Sequence, residues 1–218
     1  MHQSPPSSIG LLGSGDVAKA LALGFHRHGY RTQLGTRSPE KLSSWLAEHP
    51  GITAGSMEAT AAAADLVVLA VKGPAAGEAL ELAKAENLAG KTVIDATNPI
   101  ADAPPDDGVL PFFTDHRESL MERLQRQFPT AHLVKAFNSV GAGLMVNPQL
   151  AGGPPTMFHC GNDAAAKAQV RAILEQFGWD PLDMGSAVSA RALEPLCILW
   201  CLPGFRENRW NHAFKLLR

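Results

Sequence analysis

Residues 9–41 read IGLLGSGDVAKALALGFHRHGYRTQLGTRSPEK, and they carry the strongest indication of the chain's architecture. The apolar run Ile9–Leu12 leads into Gly13–Ala18, which has the pattern G-x-G-x-x-A. The first glycine of this pattern allows a tight turn from strand to helix, and the second lets backbone N–H groups approach a pyrophosphate. Leu21 and Phe25 then recur at helical spacing. The segment therefore predicts a strand, a phosphate-binding turn and a helix.

This turn defines the first group of candidate binding residues. The phosphates of a dinucleotide would lie at the positive end of the predicted helix, where N–H groups have no partner within the helix. The residues expected to hold them are Gly13, Ser14, Gly15, Asp16 and Val17.

The residues after the second predicted strand, 30–34, indicate which dinucleotide binds. NAD-binding proteins carry a carboxylate about 20 residues after the glycine motif, where it bonds the ribose hydroxyls. This chain has instead Thr36, Arg37, Ser38 and Lys41. A hydroxyl, a guanidinium and an ammonium group suit a 2′-phosphate, and no carboxylate is expected there to repel it. The sequence therefore predicts NADP(H); the alternative is that Arg37 and Lys41 are ordinary surface charges.

Composition narrows the class of protein. With 218 residues and a formal charge of −2, the chain suits one compact domain with a small annex and gives no reason to expect nucleic acid or a membrane as partner. The late apolar run Leu193–Phe205 is interrupted by two prolines, so we expect no membrane span.

The three cysteines favour a reducing, cytoplasmic location. Residues 1–8 are polar and proline-rich, which predicts a disordered leader.

Helix-like and strand-like segments alternate along residues 9–150, which predicts an α/β Rossmann domain with a doubly wound, mostly parallel sheet. We expect a small C-terminal α+β or helical domain over residues 151–218, with two final helices at about 188–201 and 205–217. The proline-rich loop 98–114 is too long for a simple connector and is either functional or mobile.

Ligands of doubly wound sheets bind beyond the carboxyl ends of the strands. The further cofactor candidates at these ends are Ala70, Val71, Lys72, Asn98, Pro99, Ala136 and Asn138. Each polar member also has a structural explanation. Lys72 could simply reach water, Asn98 could start a turn before Pro99, and Asn138 could cap the turn that follows it.

The candidates for binding a second substrate are Asn138, Met145 and Trp200. Trp200 and Trp210 could wall a flat ligand beside the nicotinamide or cover the edge of the sheet. Cys197 and Cys201 share a helix face, but no metal-ligand spacing accompanies them, so core packing is expected and no metal site is predicted. No catalytic acid, base or nucleophile is predicted either, because a hydride transfer needs the protein mainly to position two rings and exclude water.

Several motifs together resemble the deazaflavin-dependent NADP reductase family, whose fold also occurs in the cytoplasmic domain of the STEAP metalloreductases. Besides the glycine motif and Thr36-Arg37-Ser38, the motifs are VIDATNP (93–99), KAFN (135–138), CGND (160–163), DMG (183–185) and ARALEPL (190–196). The resemblance implies a Rossmann domain with a small C-terminal domain, a homodimer, and NADPH placed against a flavin-like or deazaflavin acceptor.

By position, the resemblance implies that Ser14, Thr36, Arg37 and Lys41 hold the NADP phosphates and that Val71-Lys72 and Asn98 flank the nicotinamide half. Residues 136–145 and the helix from Ser189 would shape the acceptor pocket. The chain departs from the family at Lys72-Gly73 and at residues 200–205, and these departures concern the acceptor.

We therefore expect an NADP(H)-dependent oxidoreductase that transfers a hydride between NADPH and a flavin-like or other small acceptor. Two alternatives stay open. One is an imine reductase of the pyrroline-carboxylate type, although that family uses a longer helical domain than this chain offers. The other is a sensor or partner protein that binds NADP(H) without turnover.

Overall fold

The computed structural model describes residues 6–217, and within them the strands form one eight-stranded sheet. The strands are β1 (Ser8–Leu12), β2 (Arg31–Gly35), β3 (Ile52–Gly55), β4 (Leu66–Leu69), β5 (Thr92–Asp95), β6 (His132–Lys135), β7 (Thr156–Gly161) and β8 (Asp180–Asp183). Their spatial order is β3-β2-β1-β4-β5-β6-β7-β8. The strands β1 to β6 are parallel, and β7 runs antiparallel to β6.

Helices cover both faces of this sheet. They are α1 (Asp16–Arg27), α2 (Ser43–Glu48), α3 (Met57–Ala63), α4 (Ala76–Ala83), α5 (Ala85–Leu88), α6 (Leu120–Gln127), α7 (Ala164–Gln176), α8 (Ala190–Leu193) and α9 (Leu196–Glu207). One apolar layer is built with α1 and α7, and the other with α3, α4 and α6. The predicted α/β Rossmann class with a mostly parallel sheet is confirmed.

The order of the strands in the sheet determines where a ligand can bind. The chain runs outward from β1 to β3 and then returns to place β4 on the other side of β1. At such a reversal the helices on either side of β1 leave on opposite faces, and a crevice opens beyond the carboxyl ends of the two strands. The glycine-rich turn at 13–15 lies at this point, directly after β1.

The C-terminal part of the chain continues the sheet through β7 and β8 and then adds α8 and α9. The division at residue 150 stays a prediction. Of the predicted leader, residues 1–5 lie outside the described residues, whereas Ser8 begins β1 and its N–H donates to the Asp65 carboxylate at 3.0 Å.

The predicted last helix at 205–217 is wrong. The helix α9 continues through Pro203 to Glu207, and the next residue, Asn208, takes a left-handed conformation with φ of 52°. The chain then runs beside β7 without helical structure, and the Thr156 N–H donates to the Phe214 carbonyl at 2.9 Å. The left-handed turn redirects the chain, and the edge of β7 offers it backbone partners.

The expected absence of a membrane span stays a prediction, because one segment passes the test of length and apolar composition. The helical run Ala187–Glu207 passes that test over 21 residues, although 39% of its most apolar window is buried inside the fold. Pro195 lies in the turn between α8 and α9, as expected of an interruption, whereas Pro203 is accommodated within α9.

Candidate functional site

The glycine-rich turn has the geometry that its sequence predicts. Gly13 has a φ of +142°, and a Cβ built there would lie 2.2 Å from the Ala70 carbonyl oxygen. Only glycine fits this position, because the turn crosses directly over the end of β4. The opposite holds at Gly15, where a Cβ would meet no atom within 4 Å. The Gly15 backbone is therefore open toward the space in front of α1.

That space is a cavity of about 600 Å³, a volume typical of small-molecule sites. Ten of the predicted residues line it: Gly13, Ser14, Gly15, Asp16, Val17, Thr36, Arg37, Ala70, Val71 and Lys72. Three further lining residues, Met57, Ala75 and Ala96, were not predicted. Their small or apolar side chains carry no chemical signature by which sequence alone could have identified them.

The segment after β2 is tied to the glycine-rich turn through hydroxyl groups. The Thr36 hydroxyl donates to Ser14 Oγ at 3.5 Å and accepts the Ser38 N–H at 3.3 Å. Thr36 is buried, and Lys41 lies exposed on the 3₁₀ turn Pro39–Leu42. The residues predicted to bind a 2′-phosphate thus lie beside those predicted to bind the pyrophosphate.

A carboxylate does stand beside Arg37, contrary to the expectation from sequence. Glu78 in the first turn of α4 places Oε1 3.4 Å from Arg37 Nη1, with side chains that are 53% and 67% exposed. Such an exposed ion pair contributes about 0–1 kcal/mol. Glu78 was missed because it reaches Arg37 only through the docking of α4, 41 positions along the chain.

The loops that follow β4 and β5 lie in close contact with each other. A Cβ at Gly73 would lie 2.0 Å from the Asn98 carbonyl oxygen, so this turn also requires glycine. Lys72, next to it, has an exposed side chain. Lys72, Asn98 and Pro99 are thereby brought to the same edge of the sheet, as predicted from the strand ends.

Asn98 and Asn138 bond to one another. Asn98 Nδ2 donates to the Asn138 carbonyl at 2.7 Å, and Asn138 Nδ2 donates to Asn98 Oδ1 at 3.1 Å and to the Leu193 carbonyl at 2.8 Å. Both asparagines therefore brace the loops after β5 and β6. Between Ala136 and Asn138, Phe137 is held at a φ of +62°, a strained conformation for a bulky residue.

A buried charge cluster below these loops was not among the predicted site residues. Lys135 Nζ lies 2.7 Å from Asp95 Oδ2 and 3.0 Å from Glu194 Oε1, and it donates to the Thr97 carbonyl at 2.8 Å. All three charged side chains are at most 2% exposed. Burial lowers the pKa of Lys135, but the two carboxylates outweigh this effect, and the pKa ends above its usual value.

Each carboxylate of this cluster also accepts backbone hydrogen bonds. Glu194 receives the N–H groups of Leu120 and Met121 at the start of α6, at 2.9 and 3.0 Å. Asp95 receives the Thr97 N–H at 2.9 Å. The cluster joins β5, β6, α6 and the C-terminal helices. The sequence signal that could have revealed it is a charged residue within each of the apolar segments VIDA, LVKAF and ALEPL.

A second cavity, of about 480 Å³, lies after β6 and is lined by Gly141, Ala142, Gly143, Leu144, Trp200, Trp210 and Asn211. The Trp200 ring packs over Gly141, stacks on His212 at 5.0 Å between centroids, and is 7% exposed. Trp210 is 40% exposed. Met145, in contrast, is 2% exposed and belongs to the apolar core.

Three further reactive side chains, Cys160, Cys197 and His159, are buried, whereas Cys201 is partly buried. Burial raises the pKa of Cys160 to about 12, and Cys197 is buried in α9. His159 is 1% exposed, and burial lowers its pKa. Across residues 6–217, His, Cys, Asp and Glu side chains nowhere gather in threes in an arrangement that could hold a metal ion.

The residues of the first cavity fit NADP(H). The open face at Gly15 lets a phosphate approach the first N–H groups of α1, and Gly15 O already accepts the Lys19 N–H at 3.0 Å. Arg37 and Lys72 supply two positive charges on the cavity wall, against one negative charge from Asp16. When bound, the reduced nicotinamide would supply a hydride. Residues after β4 (Ala70, Val71 and Lys72) and after β5 (Ala96) line the same cavity.

Comparison with known proteins supports this assignment. The family model described as "NADP oxidoreductase coenzyme F420-dependent" matches residues 8–99. A crystal structure from Arthrobacter sp. FB24, of a protein whose name proposes an F420-dependent NADP-reductase activity, is 37% identical with a TM-score of 0.91. That match covers 97% of this chain and 100% of the other.

Two further relatives are more distant or much longer. Metalloreductase STEAP3 of Rattus norvegicus is 32% identical over 200 residues, which are 89% of this chain but 38% of the relative. The chain thus spans little more than a third of the length of the curated relatives it matches. The imine reductase of Streptomyces aurantiacus is 18% identical with a TM-score of 0.67, covering 91% of this chain and 62% of the other, so this likeness shows the fold alone.

Proposed function

Because the chain belongs to the coenzyme F420-dependent NADP oxidoreductase family, we propose that it transfers a hydride between NADP(H) and a planar, flavin-like acceptor. One observation carries the cofactor assignment: Thr36 and Arg37 line the same cavity as the glycine-rich turn at the start of α1. This arrangement offers donors to the pyrophosphate at one end and a cation to the 2′-phosphate at the other.

The chain's own residues would position the cofactor. Ser14, Gly15 and the first turn of α1 bind the pyrophosphate, and Arg37 with Lys41 binds the 2′-phosphate. The braced pair of Asn98 and Asn138 borders the nicotinamide end, and Lys72 reaches the nearby phosphates or ribose. No side chain is assigned as an acid or base, since the cofactor carries the hydride and the protein orients the rings.

The acceptor site is proposed at the aromatic cavity after β6. Trp210 exposes an indole face there, and the small residues Gly141, Ala142 and Gly143 leave room for a flat ring. Trp200 supports this wall from behind rather than contacting the ligand broadly, since its ring is nearly buried between Gly141 and His212. The proposal also includes a homodimer and a cytoplasmic location, which rest on the family resemblance and on cysteine usage.

The test of the cofactor assignment is binding and specificity. We expect NADPH to bind and Arg37→Ala to weaken it by about 1.5–3 kcal/mol, the value of hydrogen bonds to charged groups, while NADH binding is spared. Fluorescence titration of both cofactors measures this. Equal losses for NADPH and NADH would contradict the assigned role of Arg37.

The acceptor is tested by NADPH oxidation with free flavins, a deazaflavin, ferric chelates and cyclic imines. Ferric chelates are included because curated relatives are named metalloreductases, and cyclic imines because imine reductases share the fold. Trp210→Ala should raise the acceptor KM more than the NADPH KM. Tight NADPH binding with no oxidation by any acceptor would favour a binding-only protein instead.

A further inference from the structure

The ion pair between Arg37 and Glu78 joins a lining residue of the dinucleotide cavity to the first turn of α4. Arg37 follows β2 and lines the cavity, whereas Glu78 lies in the first turn of α4, the helix that begins just after the lining residue Ala75. Their closest atoms, Nη1 and Oε1, are 3.4 Å apart. The cation predicted to receive a 2′-phosphate is therefore shared with a carboxylate.

This pair can be opened by a stronger anion. One contact of 3.4 Å joins the two groups, and their side chains are 67% and 53% exposed, so water screens the attraction. A phosphate group carries more charge than a carboxylate and can accept two parallel N–H bonds from one guanidinium. A 2′-phosphate would thus displace Glu78 from Arg37.

The first turn of α4 keeps the Glu78 backbone close to the lining residue Ala75, so the displaced carboxylate stays within range of the phosphate charge. It then faces the phosphate and opposes it by like-charge repulsion. A cofactor with a free 2′-hydroxyl meets no such repulsion and can instead donate a hydrogen bond to a carboxylate. Glu78 therefore acts in opposite directions on the two cofactors.

We propose that Glu78 is a specificity-determining residue that competes with the 2′-phosphate for Arg37 and so limits the preference for NADPH over NADH. The inference rests on the proposed function, in which this cavity holds NADP(H). It adds a residue from α4 to a specificity element otherwise built from the segment after β2.

The test removes the negative charge of Glu78 and keeps the size and shape of its side chain. Glu78→Gln should tighten NADPH and the fragment 2′,5′-ADP by about 3- to 10-fold, since one nearby negative charge is removed. The affinities for NADH and 5′-AMP should either stay within twofold of the wild-type values or fall. The advantage of the variant should shrink as potassium chloride is raised from 20 to about 300 mM, because salt screens exposed charges.

Glu86→Gln is the matched control. Glu86 is exposed on the adjacent helix α5, so its replacement makes the same change in net charge away from Arg37. Equal tightening by both variants, or equal tightening of 2′,5′-ADP and 5′-AMP by Glu78→Gln, would overturn the inference. So would an unchanged affinity of Glu78→Gln for 2′,5′-ADP.

The wild-type chain separates this inference from the proposed function. A wild-type chain that binds neither NADPH nor 2′,5′-ADP overturns the proposed function and the inference together. A wild-type chain that binds both, with no shift in Glu78→Gln, overturns the inference alone.

Discussion

Replacing Gly13 and Gly15 by alanine, one at a time, should separate folding from cofactor binding within a single turn. At Gly13 the added methyl group would lie 2.2 Å from the Ala70 carbonyl oxygen, and φ is +142°, which L residues rarely adopt. At Gly15 φ is −80° and the methyl group would meet no atom within 4 Å. The same substitution is therefore harmful to the fold at one position and harmless at the other.

The expected magnitudes follow from these contacts. For Gly13→Ala, backbone strain of about 1–3 kcal/mol and overpacking of about the same size should lower the free energy of unfolding by about 2–6 kcal/mol. For Gly15→Ala, the free energy of unfolding should change by less than about 1 kcal/mol. The Gly15 methyl group would instead occupy the path of the pyrophosphate, and NADPH affinity should fall at least about tenfold, or about 1.4 kcal/mol.

Urea unfolding and NADPH fluorescence titration measure the two effects on the same samples. With an m value of about 2–3 kcal/mol per M, the midpoint for Gly13→Ala should fall by about 0.7–3 M. A Gly13→Ala variant as stable as the wild type would refute the steric argument. A Gly15→Ala variant that binds NADPH at full strength would show that the phosphates do not pass over this turn.

Three further predictions concern buried groups. Lys135→Met should lower the free energy of unfolding by about 3–5 kcal/mol, because Asp95 and Glu194 would be left buried without their cation; an unchanged urea midpoint would contradict this. Burial depresses the pKa of His159 in the folded protein, because it disfavours the charged imidazole. The stability that comes from burying the neutral ring is therefore complete above about pH 6.5, and it is lost as the pH falls from there through the folded-state pKa. The fall in stability between pH 7 and pH 5 should therefore be shallower in a His159→Phe variant, and parallel curves would rule out this role. With a pKa of about 12, the Cys160 thiol should resist iodoacetamide at pH 8 until the protein unfolds, as peptide mass mapping would show; rapid labelling of the native protein would be inconsistent with its burial.

Much of the fold was predictable because its signals are local. The glycine motif indicates a turn of the kind that Gly13 adopts. The apolar runs of β1, β4 and β5 are typical of strands buried on both faces. The predicted alternation of strands and helices along residues 9–150 was found. The failure at 205–217 was also local in origin: the apolar composition continues, but Asn208 turns the backbone out of the helix.

Some residues of the candidate site were predicted from the sequence and others were not. Residues that follow directly from a motif or a strand end, such as Ser14, Thr36 and Arg37, do line one cavity. The aromatic residues in α9 and just after it gave a less specific signal. Sequence could not distinguish the nearly buried Trp200 from the more exposed Trp210, because exposure depends on what packs over each ring.

By itself, the sequence determined the architecture, the position of the phosphate-binding turn and the cation that follows β2. Only the tertiary structure decided the partners of the charged groups. Glu78 meets Arg37 because α4 docks beside the end of β2, and Lys135 meets Asp95 and Glu194 because β5, β6 and the C-terminal helices converge. Steric and periodic constraints act between neighbouring residues and can be read along the chain. Electrostatic pairing acts between whichever groups the packing of distant elements brings within a few ångströms.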